Sequence, residues 1–230
     1  AVLFGPGGLG KSVIAMGLAV SVATGETIIP GVTPVTSGAV VYYDWETNSA
    51  TANSRIVRIA RGAGIEAPEI TYRTGNGPVA DKAESIARLV ASLDARLLVI
   101  DSATHALGSA YGDPNEPVKE MFAALHGTGT TVLIVDHVGK NGSAREPIGA
   151  VSKTNSARAT WQVEDAGSGR VFIRHRKKNN TGELEPLGLH IDWSEGMIRF
   201  WGIAGGIPAE TAGDRLEDRI ASVLAAHPLR

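Results

Sequence analysis

The chain of 230 residues contains no cysteine, and only 5% of its residues are aromatic. Without cysteine it can form neither a disulfide framework nor a thiolate metal site. It has no run of about 18 apolar residues, so we expect no membrane-spanning helix. It opens without methionine or a basic leader, and we expect no signal peptide. These absences are compatible with a reducing compartment, and we expect a cytoplasmic protein.

The residues that are present suit one globular α/β domain, since 43% are hydrophobic and the net charge is only −2. The charge is unevenly distributed: −4 over residues 1–137, +6 over 138–178 and −4 over 179–230. A basic stretch between acidic flanks is typical of phosphate binding, by a nucleotide or by a nucleic acid. A solvated loop is the alternative interpretation.

Apolar strands alternate with helical patterns over residues 1–136, which predicts a parallel sheet covered by helices on both faces. Between residues 160 and 201 the pattern changes to strands joined by tight turns, which predicts an antiparallel extension. The predicted strands are 2–4, 39–44, 69–72, 97–101, 130–136, 160–164, 170–175, 187–192 and 197–201. The predicted helices are 11–24, 51–63, 80–93 and 114–125.

The predicted domain organisation is an α/β domain over residues 1–204, a linker over 205–213 and a C-terminal helix over 214–230. The last helix would open a winged-helix domain that continues beyond Arg230, or would serve as an amphipathic packing helix.

The segment Gly5–Ser12 reads GPGGLGKS and matches the pattern G-x-x-x-x-G-K-[ST] between a predicted strand and a predicted helix. The glycines let the backbone approach phosphates closely, and the helix N-terminus adds partial positive charge. Lys11 is expected to reach the β- and γ-phosphates of ATP or GTP, and the Ser12 hydroxyl to hold Mg²⁺. The residues predicted to bind the nucleotide here are Gly5, Pro6, Gly7, Gly8, Leu9, Gly10, Lys11, Ser12 and Val13.

Two further predicted strands end in acidic residues. Asp101 ends the apolar run LLVID and is predicted to contact Mg²⁺, directly or through water. Glu46 lies just past the run VVYYD and is predicted to polarise the water that attacks the γ-phosphate. Asp44 is the alternative for this role, and would otherwise be a turn or cap residue.

His137 ends another apolar strand, at the sheet edge where α/β proteins bind ligands. It could hydrogen-bond the γ-phosphate or its water and report hydrolysis to the following loop. An ordinary loop histidine is the alternative.

The basic stretch contains the polar segment 139–156. Lys140, Arg145 and Lys153 are predicted to contact nucleic acid, because basic loops suit phosphate backbones. Arginines at the edge of a subunit can instead reach a neighbour's γ-phosphate.

Several strings together resemble the RecA-like ATPases, and among them the hexameric RepA-type helicases and AAA-type relatives of phages and bacteria. The resemblance covers about residues 1–200 and is carried by VYYDWETN, LLVIDSATHAL, VLIVDHVGKNG, PIGAVSKTNSARATW and RHRKKNNTGEL. It implies a RecA-like P-loop fold with a mostly parallel central sheet and a C-terminal antiparallel extension.

The resemblance also implies roles for individual residues. Glu46 matches the catalytic glutamate, and His137 matches a sensor of the nucleotide state. Arg158 matches an arginine finger that enters the neighbouring subunit's site. Lys178 matches a second cation acting on that neighbour, and Arg176 is an alternative to it.

The function implied is Mg²⁺-dependent ATP hydrolysis in a ring, coupled to movement on single-stranded DNA that the loop 139–153 would face. One alternative is a DNA-binding ATPase that loads or remodels partners without unwinding. Others are a KaiC-like signalling ATPase and a metabolic kinase, although we find no clear sequence for a kinase's second substrate pocket or lid.

Overall fold

The computed structural model of the chain describes residues 1–107, 115–138, 153, 155–178, 184–194 and 196–203. The predicted nucleic-acid contacts Lys140 and Arg145, the linker 205–213 and the helix 214–230 lie outside the described residues.

Nine strands in the described part of the chain form one sheet. They are β1 (Val2–Gly5), β2 (Val40–Asp44), β3 (Thr71–Thr74), β4 (Leu97–Asp101), β5 (Thr131–His137), β6 (Ala159–Asp165), β7 (Arg170–Lys178), β8 (Leu187–Asp192) and β9 (Arg199–Gly202). The order is β3-β2-β4-β5-β1-β6-β7-β8-β9. Neighbours from β3 to β6 are parallel, and neighbours from β6 to β9 are antiparallel. This confirms the predicted parallel sheet with an antiparallel extension.

The strand β6 belongs to both parts of the sheet. It pairs in parallel with β1, where Val2 lies opposite Thr160, and antiparallel with β7 on its other side. The turn signals predicted only the antiparallel partner, because a parallel partner far away in sequence leaves no local signal. The extension is therefore continuous with the parallel sheet.

Helices cover both faces of the parallel part. The helices α1 (Lys11–Thr24) and α2 (Ser49–Ala63) contribute to one hydrophobic core, while α3 (Ala83–Ser92) and α5 (Glu116–His126) contribute to another. A short α4 (Ala103–Ala106) follows β4. None of the helices in the described ranges is both long and apolar enough to cross a membrane.

Side chains alternate between the two cores along β1, β2, β4 and β5. In β1, Leu3 belongs to the core under α1 and α2, whereas Val2 and Phe4 belong to the core under α3 and α5. Strands buried on both faces read as continuous apolar runs, which is why the sequence pattern located them.

The carboxyl ends of the parallel strands meet at one edge of the sheet. Gly5 at the end of β1 lies opposite His137 of β5, and Asp44 at the end of β2 lies opposite Asp101 of β4. In open α/β sheets this is the edge at which ligands bind.

Candidate active site

The loop Gly5–Ser12 connects β1 to α1, and its backbone requires glycine at particular places. Gly8 and Gly10 have φ angles of 80° and 77°, in the left-handed region that favours glycine. A Cβ on Gly5 would lie 2.4 Å from the carbonyl oxygen of Val163 in β6. The glycines therefore allow a loop that turns sharply while β6 packs against its base.

The N-terminus of α1 is open to an anion. Its N-cap is Gly10, no side chain caps the first turn, and the first turn contains no acidic residue. Amide groups in the first turn of a helix lack partners within the helix, and the helix dipole is positive there. A phosphate would satisfy these donors.

Lys11 lies inside this loop, with only 4% of its surface exposed, and its Nζ donates to the Pro6 carbonyl oxygen at 2.6 Å. Burial lowers the pKa of Lys11, while the carboxylates of Asp101, Glu46 and Asp136 act in the opposite direction. The ammonium group thus lies in the field of the acids at the strand tips.

Two further residues that were predicted to bind the nucleotide, Leu9 and Val13, contact the hydrophobic core. Leu9 packs against the core under α1 and α2. The side chain of Val13 is buried in the same core, so only its backbone could face a ligand.

Asp101 is a buried acid with an incompletely satisfied carboxylate. It is 2% exposed, and the Tyr42 hydroxyl donates to its Oδ2 at 2.7 Å. No hydrogen bond of standard geometry reaches Oδ1 from the described residues. Burial raises the pKa of Asp101 to about 6, although the hydroxyls of Tyr42 and Ser12 lower it.

These surroundings fit a divalent cation. Mg²⁺ prefers oxygen ligands and commonly takes only one or two from the protein, with water and substrate phosphates supplying the rest. Asp101 Oδ1, which accepts no hydrogen bond of standard geometry from the described residues, and the nearby Ser12 hydroxyl meet that requirement. Within the ranges described, no cluster of three or more His, Asp or Glu side chains could hold a metal alone. The pair Ser12 and Asp101 therefore suits a metal shared with phosphates.

Asp44 shapes the turn that carries Glu46. Its Oδ1 accepts hydrogen bonds from the backbone N–H groups of Glu46 and Thr47 at 2.8 and 2.9 Å. Its Oδ2 accepts one from the Thr47 hydroxyl at 2.5 Å. Asp44 therefore stabilises the turn after β2, which is the structural role that the sequence allowed for it as an alternative. This favours Glu46, rather than Asp44, as the acid that contacts water.

One carboxylate oxygen of Glu46, Oε1, lies close to three polar side chains. Oε1 accepts a hydrogen bond from the Ser102 hydroxyl, and the same atom lies 3.1 Å from His137 Nε2 and 3.3 Å from His105 Nδ1. Burial raises the pKa of Glu46, but the hydrogen bonds from Ser102 and His137 and the charges of both histidines outweigh it, so the pKa lies below its usual range. A carboxylate that stays charged at neutral pH can accept a proton from water.

His137, whose predicted contact was the γ-phosphate or its water, therefore contacts Glu46 in this structure. Its predicted role as a sensor stays a prediction. The hydrogen bond does connect the tip of β5 to the turn after β2, so two strand tips are coupled through Glu46.

The prediction that Lys153 contacts nucleic acid is wrong for this structure. Lys153 is 1% exposed, and its Nζ pairs with Asp136 Oδ2 at 2.8 Å. Thr104 donates to the other oxygen of Asp136 at 3.1 Å. The polar sequence around Lys153 predicted an exposed side chain. Its partner Asp136 belongs to β5, which is distant in sequence, so a local pattern could not predict the ion pair.

The cations predicted to act on a neighbouring subunit lie at the opposite edge of the sheet from the glycine-rich loop. Arg158 is exposed and precedes β6, whose residue Thr160 lies opposite Val2 at the start of β1. Lys178 ends β7 opposite Ala159. The loop follows the other end of β1, so the described structure does not place Arg158 at the glycine-rich loop of its own chain.

Arg176, the alternative to Lys178, forms hydrogen bonds within its own chain. It donates to Gln162 Oε1 at 2.6 Å and to Glu164 Oε1 at 2.5 Å. This pairing favours Lys178 of the two.

The sequence patterns did not identify three residues of the site: Tyr42, Ser102 and His105. Tyr42 resembles any other apolar residue of a buried strand until its hydroxyl is placed beside Asp101. Ser102 and His105 lie in the string SATH directly after β4. Polar residues immediately past a strand tip were the available signal for them.

Comparison with known proteins agrees with this geometry. No curated protein matches the chain. Residues 1–143 match the model of the AAA domain family, and the match includes the loop Gly5–Ser12, Glu46, Asp101 and His137. With a phosphate-binding loop, a buried acid beside it and a mostly parallel sheet between helices, the chain belongs to the AAA domain family of P-loop ATPases.

Proposed function

We propose that the protein is a Mg²⁺-dependent ATPase that hydrolyses ATP between the subunits of a ring. We propose further that hydrolysis drives movement on single-stranded DNA, as in RepA-type helicases. The observation that carries the ATPase proposal is the convergence of Lys11, Asp101 and Glu46 beside the uncapped N-terminus of α1.

Each residue of the site would have a separate role in the proposed hydrolysis of ATP. The amides of the loop and the ammonium of Lys11 would hold the phosphate chain and offset its charge. Glu46 would orient the attacking water and accept its proton. Ser12 and Asp101 would hold Mg²⁺, which when bound neutralises charge on the β- and γ-phosphates.

The placement of Arg158 supports catalysis between subunits. A head-to-tail interface brings one edge of a subunit against a different surface of the next, and repeated application of such an interface can close a ring. Arg158 and Lys178 lie at one sheet edge and the glycine-rich loop at the other, which is the arrangement that such an interface requires.

The proposed partner, single-stranded DNA, rests on the charge of +6 over residues 138–178. Part of that charge is neutralised internally, because Lys153 pairs with Asp136 and both Arg174 and Arg176 contact Glu164. The proposed DNA contacts are therefore Lys140 and Arg145.

ATP hydrolysis by the wild-type protein and by Glu46→Gln tests the ATPase proposal. We expect the variant to bind ATP with unchanged affinity and to hydrolyse it at least about 100-fold more slowly, because it lacks the proton acceptor. Glu66→Gln, at an exposed position, is the matched control and should hydrolyse ATP normally. Equal rates for the wild type and Glu46→Gln would refute the role of Glu46.

Hydrolysis rates with and without single-stranded DNA test the coupling, and a strand-displacement assay distinguishes a helicase from a loader. We expect DNA to stimulate the wild type and not Lys140→Ala/Arg145→Ala. The control Arg88→Ala/Lys119→Ala removes two exposed cations from α3 and α5. No stimulation of the wild type by any nucleic acid would count against the DNA-coupled function while leaving the ATPase intact.

A further inference from the structure

An open pocket of ≈ 310 Å³ lies beside the glycine-rich loop, on the side away from Glu46 and Asp101. Its lining includes Gly8 and Gly10 of the loop, Ser168 in the turn between β6 and β7, and Trp193 just after β8. The phosphate chemistry described above uses none of the residues that line it beyond the loop itself.

The order of the strands determines which end of a nucleotide would face this pocket. The strands that carry the acids, β5, β4 and β2, lie on one side of β1, whereas β6, β7 and β8 lie on the other. A nucleotide is a linear molecule, so a γ-phosphate directed toward Glu46 leaves its nucleoside directed toward β6–β8. The pocket occupies that side.

Trp193 contacts Arg58 of α2, while much of its side chain remains exposed to solvent. Its carbonyl oxygen accepts a hydrogen bond from Arg58 of α2 at 3.3 Å, and the Arg58 guanidinium lies 6.0 Å from the centre of the ring. Even so, 48% of Trp193 is exposed. A large aromatic side chain that is anchored yet open offers a flat apolar surface to a ligand.

The opposite wall of the pocket is also braced. Gly167, Ser168 and Gly169 have φ angles of 72°, 54° and 72°, and Asp165 Oδ1 accepts a hydrogen bond from the Gly167 N–H at 2.8 Å. The Ile191 N–H donates to the Gly169 carbonyl oxygen at 3.3 Å, which ties this turn to β8. Hydrogen bonds within the chain therefore hold this wall of the pocket in place.

We propose that this pocket holds the purine base of the nucleoside triphosphate whose phosphates lie on Gly5–Ser12, with the base stacked on Trp193. The inference rests on the proposed nucleotide binding and extends it by assigning the base to a site. Stacking on an aromatic ring suits a bicyclic base because it needs only overlap of two flat surfaces.

Titration calorimetry with two ligands separates the base from the phosphates. Both ATP and inorganic tripolyphosphate would be titrated into the wild type and into Trp193→Ala, in the presence of Mg²⁺. We expect Trp193→Ala to bind ATP about tenfold more weakly and tripolyphosphate unchanged, because only ATP carries a base. Trp193→Phe keeps a ring and should retain most of the affinity for ATP.

Trp201→Ala is the matched control, since Trp201 of β9 is 53% exposed and does not line this pocket. It should bind both ligands as the wild type does. An unchanged affinity of Trp193→Ala for ATP, or an equal loss for both ligands, would overturn the base site. A wild type that binds neither ligand would instead overturn the proposed nucleotide binding.

Discussion

Glu46 is the residue at which the site's polar groups converge, and all of its described hydrogen bonds to side chains involve Oε1. Ser102 is buried and donates to that oxygen from the position immediately after Asp101. It is therefore placed to position the carboxylate and to keep it charged.

Removal of the Ser102 hydroxyl should change the pH dependence of hydrolysis. Its hydrogen bond lowers the pKa of Glu46, so Ser102→Ala should raise that pKa and move the acidic limb of the kcat profile to higher pH. We also expect kcat to fall by about tenfold, the typical cost of one hydrogen bond to a charged group. Ser92→Ala, which removes an exposed hydroxyl at the end of α3, is the control. An acidic limb at the same pH in Ser102→Ala would contradict this role.

Asp101 should destabilise the nucleotide-free protein at neutral pH. Its pKa is about 6 in the folded protein against its usual 3.8, so between these values the folded state keeps a proton that the unfolded chain has lost. Stability from this group is therefore complete below about pH 4 and is lost as the pH rises through 6. The shift corresponds to about 3 kcal/mol.

Asp101→Asn should accordingly raise the free energy of unfolding at pH 7.5 by about 2–3 kcal/mol in the absence of nucleotide. The gain should disappear below about pH 4, and denaturant unfolding at several pH values measures it. Asp81→Asn, at an exposed position, should show no such gain. A variant less stable than the wild type at pH 7.5 would contradict this account.

Single residues of the site could be predicted where one short stretch of sequence contains the residue types that the chemistry requires. Lys11 belongs to the glycine-rich string GPGGLGKS, while Glu46 follows an apolar run and Asp101 ends one. The structure places these three residues together. Lys153 could not be assigned in this way, because its burial depends on a partner in β5. Tyr42 was missed because its function depends on one hydroxyl at the end of a strand that otherwise packs as core.

At the scale of elements, the glycine-rich loop depends on its contact with β6. Gly5 approaches the Val163 carbonyl so closely that any side chain there must displace a strand backbone. Gly7 lies in the same loop with no atoms within 4 Å of a Cβ position and without a positive φ.

Gly5→Ala and Gly7→Ala should therefore differ sharply in stability. We expect Gly5→Ala to lower the free energy of unfolding by more than about 2 kcal/mol, because backbone atoms cannot move aside as a flexible side chain can. Gly7→Ala should change it by less than about 1 kcal/mol. Denaturant unfolding of both variants measures the difference, and equal losses would show that the contact with β6 is unimportant.

Elements with strong local signals were predicted to the residue. The bounds of α1 are Lys11–Thr24 as predicted, because the loop precedes it and Gly25 ends it in a left-handed conformation. The predicted helix 80–93 is instead a 3₁₀ turn over Ala80–Lys82 followed by α3. The helix α4 has only four residues, too few for periodicity to reveal it.

At the scale of the whole molecule, the two edges of the sheet are chemically different. The glycine-rich loop and the acids occupy one edge, and Arg158 lies at the other. A complete site would then require two subunits, as the proposed ring provides.

Mixing two variants that we expect to be inactive tests this directly. Lys11→Ala lacks the lysine of the glycine-rich loop, and Arg158→Ala lacks the proposed arginine finger. In a mixture, a site formed by the Lys11 of one subunit and the Arg158 of its neighbour is intact, so hydrolysis should recover to a sizeable fraction of the wild-type rate. Arg96→Ala, which removes another exposed arginine just before β4, should be active alone. Failure of the mixture to recover would argue that Arg158 acts within its own subunit or has no catalytic role.

We propose that a triphosphate lies on the backbone of Gly5–Ser12 with Lys11 beside it. Titration calorimetry of the wild type and of Lys11→Ala with a non-hydrolysable ATP analogue and Mg²⁺ tests this placement most directly. We predict saturable binding by the wild type and an affinity at least about tenfold lower for Lys11→Ala, since one buried ammonium contact to phosphate is lost. Equal affinities, or no binding by the wild type, would contradict the account.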